Sequence, residues 1–390
     1  MASSKHENEL STGLSKFALD LYSECAHSSD QNVVISPLSV ANVLTLLSQA
    51  ANGKTYDELR RALHLNADKA VIAHQFAEFS KQIEDCIGKA NLSIVNQIYV
   101  QQGMMLNSDY RDIAMKNFGA GIEPVDFDKP HETAQTINQF VKEKTMGKIP
   151  NAVKPEVFGG NTCVVLVNAI SFKANWCRKF ATGSTRTGDF YISESDTTQV
   201  QYMTHESYFN YTVLDELDAT ALQIGYKESE FSFVVILPNT RLGLSELESR
   251  LKNYDLSKVI NRMSKKLVDV KLPRFKYEYE VQLNSILQKM GMSEMFKPKA
   301  DLQGMLDPSM AGLPLIVSTV LHKAVIEVNE RGTEATAFTR ADVYRCARSS
   351  DSINFNVDHP FFFFIGSATL STPVFCGSVH KPEASIRPRF

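Results

Sequence analysis

Ser36, Ser39, Asn168 and His322 are the first residues to weigh for chemistry, because a serine hydroxyl beside a histidine can serve as a nucleophile with its general base. That chemistry needs a scaffold that the sequence does not offer. The chain has no Gly-x-Ser-x-Gly elbow, no Walker loop and no dinucleotide glycine pattern. His131-Glu132 lacks the second histidine of a metalloprotease helix. His359, before Pro360, and the remaining histidines have no metal-ligand spacing. Catalysis, a metal and a cofactor are therefore not expected.

The stretch from Glu327 to Tyr344 carries a different kind of chemistry. Strand side chains alternate faces with a period of two. Counting from Gly332, one face holds Thr333, Ala335, Ala337, Thr339, Ala341 and Val343, all small or apolar and uncharged. The opposite face holds Glu334, Thr336, Phe338, Arg340, Asp342 and Tyr344, a pattern fit for water. A strand is available to such a sequence. Alanine and threonine bury too little surface to drive one unaided. The polar run Arg345-Cys346-Ala347-Arg348-Ser349 follows and has the character of a protease-accessible loop. Periodicity alone fits an amphipathic edge strand followed by a loop. It also leaves room for a surface loop able to become a buried strand.

These residues must be positioned by mixed structure. Helical spacing of Leu14, Phe17, Ala18, Leu21 and Tyr22 predicts a helix over 8–26. A largely buried helix is expected over 39–51, closed by Gly53, and Thr55 with Glu58 looks like a capping box opening the next. Residues 136–145 and 283–290 also have helical periodicity. Strands are expected over 92–100, 164–171, 231–237 and 267–272, with Pro238 and Pro273 stopping the last two. Without regular βαβ alternation the class is α+β.

Several short motifs recur in an order that resembles the serpin family. They are Asn32-Val33-Val34-Ile35-Ser36-Pro37-Leu38-Ser39, Leu166-Val167-Asn168-Ala169-Ile170-Ser171-Phe172-Lys173 with Trp176, and Leu237-Pro238-Asn239. Leu272-Pro273-Arg274-Phe275, Ala300-Asp301-Leu302 and Phe375-Cys376-Gly377-Ser378-Val379 follow. Each is weak alone, but together they cover nearly the whole chain. The resemblance implies three β-sheets, eight or nine helices and an exposed reactive-centre loop at about 330–354. Ser36, Ser39, Asn168 and His322 would then form the polar cluster beneath the opening of the central sheet, and Trp176 would sit at the breach above it.

The resemblance also implies an activity, inhibition of proteases by a suicide-substrate mechanism. The hinge would be Glu330, Gly332, Thr333, Glu334, Ala335, Thr336 and Ala337, with Gly332 supplying backbone freedom. Arg331 replaces the family's usual second glutamate, and Phe338 is bulkier than the usual residue there. Arg345-Cys346 resembles the reactive bond of intracellular members with arginine before the cut, which implies a trypsin-like target. The usual loop length instead places the cut at Cys346-Ala347, and Arg348-Ser349 is a further alternative. Two rival functions are a non-inhibitory carrier or chaperone, and a cross-class inhibitor of cysteine proteases. The implied partner is a target protease in a covalent complex, with the inhibitor a monomer.

Bulk properties set outer limits. No linker or charge block divides the 390 residues, so one domain over 1–390 with a polar tail at 381–390 is expected. Hydrophobic residues at 43% can fill a sizeable core. A net charge of −3 argues against nucleic acid as a partner. Phe361-Phe362-Phe363-Phe364-Ile365, the most apolar run, is far too short to cross a membrane and suits a buried strand. The start lacks the apolar core of a secretory signal, so the chain as given is expected in the cytosol, or outside the cell if a leader was removed. Five of the six cysteines are expected as small core hydrophobes, and Cys346 as an exposed thiol favoured by a reducing compartment.

Overall fold

The computed structural model describes residues 2–27, 31–252, 254–333, 352–370 and 372–382. Among them are nine α-helices. The first six are α1 (Ala2–His27), α2 (Pro37–Ala50), α3 (Gly53–Ala62), α4 (Lys69–Ile87), α5 (Ser108–Phe118) and α6 (Pro130–Lys144). The last three are α7 (Leu244–Leu251), α8 (Leu256–Arg262) and α9 (Asn284–Lys289). α2 is apolar nearly all round and lies inside the molecule, as such a helix must. Ser36 caps it by accepting the Ser39 amide, and Pro37 takes the first turn, where no amide hydrogen is needed.

Fifteen strands accompany the helices among the described residues. They begin with β1 (Val33–Ile35), β2 (Asn91–Gln101), β3 (Gly121–Val125), β4 (Val164–Asn175) and β5 (Arg186–Tyr191). Next come β6 (Thr197–Leu214), β7 (Ala219–Gly225), β8 (Ser232–Pro238), β9 (Ser264–Pro273) and β10 (Phe275–Gln282). The last are β11 (Val317–Asn329), β12 (Gly332–Thr333), β13 (Ile353–Asn356), β14 (Phe361–Gly366) and β15 (Phe375–Val379). β10, β11, β12, β4, β2 and β3 form a six-stranded sheet in that order. β1, β15, β14, β8, β7, β6, β9 and β13 form the other, with β5 also on β6. The third strand set expected from the resemblance, β5, β9 and β13, is joined to the second through the long β6, which pairs β9 over one stretch and β7 beyond it.

The six-stranded sheet is covered on both faces. Val164, Leu166, Ile170 and Phe172 of β4 join the main core, together with α2 and the second sheet. Val165, Val167 and Ala169 point the other way and pack under Ala134, Ile137 and Val141 of α6. The face of β4 that carries Val165, Val167 and Ala169 is therefore covered by α6.

Three local expectations change. Ala51, with extended backbone, ends α2, and Gly53 at φ +50 opens α3. Thr55 and Glu58 do not box that helix. Thr55 Oγ1 accepts the Asp301 amide, and Glu58 accepts the amides of Ser293 and Glu294, so both tie α3 to a distant loop. Cys25, Cys86 and Cys376 are buried, but Cys163 is only half-buried and Cys177 is exposed.

Candidate functional site

β4 and β11 are parallel neighbours from Val164↔Val317 up to Ser171↔Val325. Above that point they part, and β12 lies between them, antiparallel to both. Gly332 faces Asn175 and Asn329, while Thr333 faces Ala174 and Val328. The Thr333 side chain is fully buried, and its hydroxyl lies 2.6 Å from that of Tyr226. The reason for Gly332 differs from the one expected. A Cβ there would lie 1.9 Å from the Ala174 carbonyl oxygen and 2.7 Å from Asn175 Cα, so glycine is required by close backbone approach.

Trp176 organises the upper end of this gap. Its indole N–H donates to the Asn329 carbonyl at 2.8 Å, and its amide donates to the Arg331 carbonyl at 2.8 Å. The ring stacks on Tyr226 with centroids 4.8 Å apart. Glu330 is buried beside it, with an 8% exposed side chain. Its carboxylate accepts from Thr185 Oγ1 at 2.7 Å and from the Arg274 guanidinium at 3.2 Å. The pairing offsets the desolvation that a lone buried carboxylate could not bear. Burial also pushes the Tyr226 hydroxyl far up, which keeps it neutral next to Thr333.

Lower down, the four sequence-selected polar residues meet. The Ser36 amide donates to His322 Nε2 at 3.1 Å, so Nδ1 carries the hydrogen and donates to Asn168 Oδ1 at 2.5 Å. Asn168 Nδ2 donates in turn to Ser39 Oγ and to Asn96 Oδ1, the latter at 2.5 Å. Ser39 Oγ donates to Asn96 Oδ1 at 2.9 Å. Neither serine hydroxyl is directed at the imidazole, so no nucleophile–base pair exists here. The cluster instead clamps α2, β2, β4 and β11 together, and His322↔Asn168 is itself a rung of the parallel ladder. Burial pushes the His322 imidazole down to about 3, so it stays neutral.

Sequence reasoning missed Asn96, Tyr226, Arg274 and Thr185 as partners. Asn96 left a trace, since it interrupts the apolar alternation of Leu92, Ile94 and Ile98 on one face of β2. Tyr226 and Thr185 left none, because their contacts come from distant strands. Glu334, Ala335, Thr336 and Ala337, and Arg345, Cys346, Ala347, Arg348 and Ser349, lie outside the described residues.

Comparisons with known proteins agree with this geometry. A family model described as "Serpin (serine protease inhibitor)" matches residues 12–382. Human Serpin B3 is 31% identical, over 96% of this chain and all of its own length. The leukocyte elastase inhibitor of Sus scrofa is 32% identical with the same coverage. Among solved structures, Serpin48 of the insect Tenebrio molitor superposes with a TM-score of 0.87 at 32% identity, covering 96% of this chain and 99% of that one.

Proposed function

The chain belongs to the serpin family, and from that premise we propose that it is a suicide-substrate inhibitor that traps a trypsin-like serine protease as an acyl-enzyme. The observation that carries this reading is Thr333, already seated between β4 and β11 with its side chain in the core. The next residues need only continue the strand.

Continuing the same register supports the reading residue by residue. Ala335 would come opposite Phe172 and Ile326, Ala337 opposite Ile170 and Ala324, and Ala341 opposite Leu166, all on the core side. Thr339 would arrive between Asn168 and His322, where a hydroxyl can take the hydrogen bonds that parting those residues releases. Val343 would end opposite Val164, the first residue of β4. A large or charged residue at any of these positions would block the path. Phe338 would fall opposite Ala169, under α6, where a bulky apolar group meets Ile137 and Val141 rather than water.

The chemical step is ordinary proteolysis halted midway. The protease serine attacks the carbonyl carbon of Arg345, the Arg345–Cys346 bond breaks, and the Cys346 amine leaves with a proton. An ester then joins the protease to Arg345. Insertion draws that ester along the sheet before water can attack it, and β4 and β11 exchange one parallel ladder for two antiparallel ones. Distortion of the protease site then prevents deacylation, and both proteins are consumed. Cleavage after Cys346 or after Arg348 would keep the same inserted face, since the alternation is set by distance from Gly332.

Incubating the protein with a panel of trypsin-like serine proteases and cysteine proteases, then separating the products under denaturing conditions, tests the proposal. A covalent adduct with an arginine-directed serine protease is the expected result. Clean cleavage by every protease would move the protein to the carrier class, and adducts with cysteine proteases alone would make it a cross-class inhibitor.

A further inference from the structure

Three successive carbonyls of the hinge are taken by one short segment after β4. The Trp176 indole holds that of Asn329, the Phe180 amide holds that of Glu330 at 2.9 Å, and the Trp176 amide holds that of Arg331. Phe180 thus secures the backbone of Glu330, while Thr185 and Arg274 secure its carboxylate. The Phe180 ring is buried, with edge contacts to Trp176 at 6.5 Å and to His205 at 5.9 Å. His205 lies on β6 opposite Val270 of β9, and it also meets Phe209 at 6.0 Å. Half-buried against these two phenyl rings, the imidazole forms no ion pair among the described residues.

The charged groups that face it are Arg178, from the same segment as Phe180, and Asp269 of β9. Arg178 donates to Ser207 Oγ, two residues along β6 and so on the same face of the strand as His205. Asp269 is in register with Glu206, and both belong to the opposite face. Burial and the Arg178 guanidinium hold the imidazole below its ordinary value, against a smaller pull from Asp269. The phenyl rings therefore do not replace the water that an imidazolium would lose. We propose that His205 is an acid-sensitive latch on the hinge: its protonation sets a second positive charge beside Arg178 and against Phe180, shifts that ring and frees the Glu330 carbonyl. An unfolded chain protonates this histidine below about pH 6.5, and the folded protein resists. The hold is therefore complete above that pH and weakens as the pH falls. No protease takes part, so the outcome is independent of the inhibitor reading.

Hydrogen exchange of the full, uncleaved chain tests the latch, with rates corrected for the intrinsic effect of pH. Between pH 7.5 and pH 5, protection over 177–181 and over 329–333 should fall about tenfold. His205→Phe, which keeps an aromatic body, should hold its protection over the same range. His205→Gln should do the same and serves if the first variant packs poorly, with the heat transition at pH 7.5 reporting the fold of each. His322 is present in every variant, so its own response to acid cancels from the comparison. Arg178→Gln removes the repelling cation and should lose no more than about threefold. Full protection of the native chain at pH 5, or an equal loss in the native chain and the His205 variants, overturns the latch. A loss over 177–181 with 329–333 unchanged overturns its link to the hinge, and an undiminished loss in Arg178→Gln overturns the part given to that guanidinium.

Discussion

The hydroxyls of Tyr226 and Thr333 lie 2.6 Å apart in the core, although one belongs to the loop after β7 and the other to the last described residue before 334. This contact fixes which way Thr333 faces. Period-two alternation then assigns an inward or outward side to every residue that would follow Thr333 into the sheet.

Thr333→Arg should therefore turn the inhibitor into a substrate. The guanidinium would displace the Tyr226 contact and be buried without a partner, at a cost of roughly 3–5 kcal/mol. Deacylation would then outrun insertion. Denaturing electrophoresis with an arginine-directed protease should show cleaved inhibitor in place of adduct. Glu334→Ala, on the other face, should leave the ratio of adduct to cleaved product nearly unchanged.

Much of this was legible in the residues alone, for identifiable reasons. β4 and β8 show as apolar runs and β9 as an alternation of apolar and charged residues, the last two stopped by prolines, whereas the small inward face expected from Thr333 to Val343 lies, beyond Thr333, outside the described residues. Ser36, Ser39, Asn168 and His322 were selected together through family motifs and do meet. Helix boundaries near Gly53 were misread because Thr55 and Glu58 serve the Asp301 and Ser293 amides, long-range partners that no local pattern encodes. The cover of α6 over Val165, Val167 and Ala169 of β4 is likewise hidden, since alternation cannot tell water from a helix that packs there from elsewhere in the chain. Gly332 is expected for its backbone freedom, whereas the structure requires glycine there because the backbone of β4 leaves no room for a Cβ.

Glu330→Ala should destabilise the active form by about 3 kcal/mol, the low end for breaking a buried ion pair, because Arg274 keeps some contact with solvent. Thr185 would lose its acceptor as well. Urea unfolding monitored at Trp176, the one tryptophan of the chain, reads the change next to its source.

The polar cluster gives a pH dependence whose sign is fixed. His322 titrates at about 3 in the folded protein and at about 6.5 in an unfolded chain. Between those values the unfolded state holds a proton that the folded state refuses, so stability is complete above about pH 6.5 and falls as pH drops. The loss attributable to this residue is about 1.4 kcal/mol per pH unit below pH 6. Urea midpoints between pH 7 and pH 4.5 should fall more steeply for the native chain than for His322→Gln, whose amide can still accept from Ser36 and donate to Asn168.

Arg345→Ala should abolish adduct formation with trypsin-like proteases and leave the heat transition of the intact protein unchanged. Mass spectrometry of the small C-terminal fragment released from the adduct should give a first residue of Cys346. A start at Ala347 would assign the cut to Cys346 and another protease class, and a start at Ser349 would assign it to Arg348.

Insertion between β4 and β11 is the central claim, and the heat stability of the protein after a single cut in the 345–349 segment tests it most directly. The account predicts that the cleaved protein unfolds at a markedly higher temperature than the intact one, with an altered Trp176 emission, because a new central strand extends β12 and parts β4 from β11 down to Val164. An unchanged transition and unchanged emission after complete cleavage would contradict it.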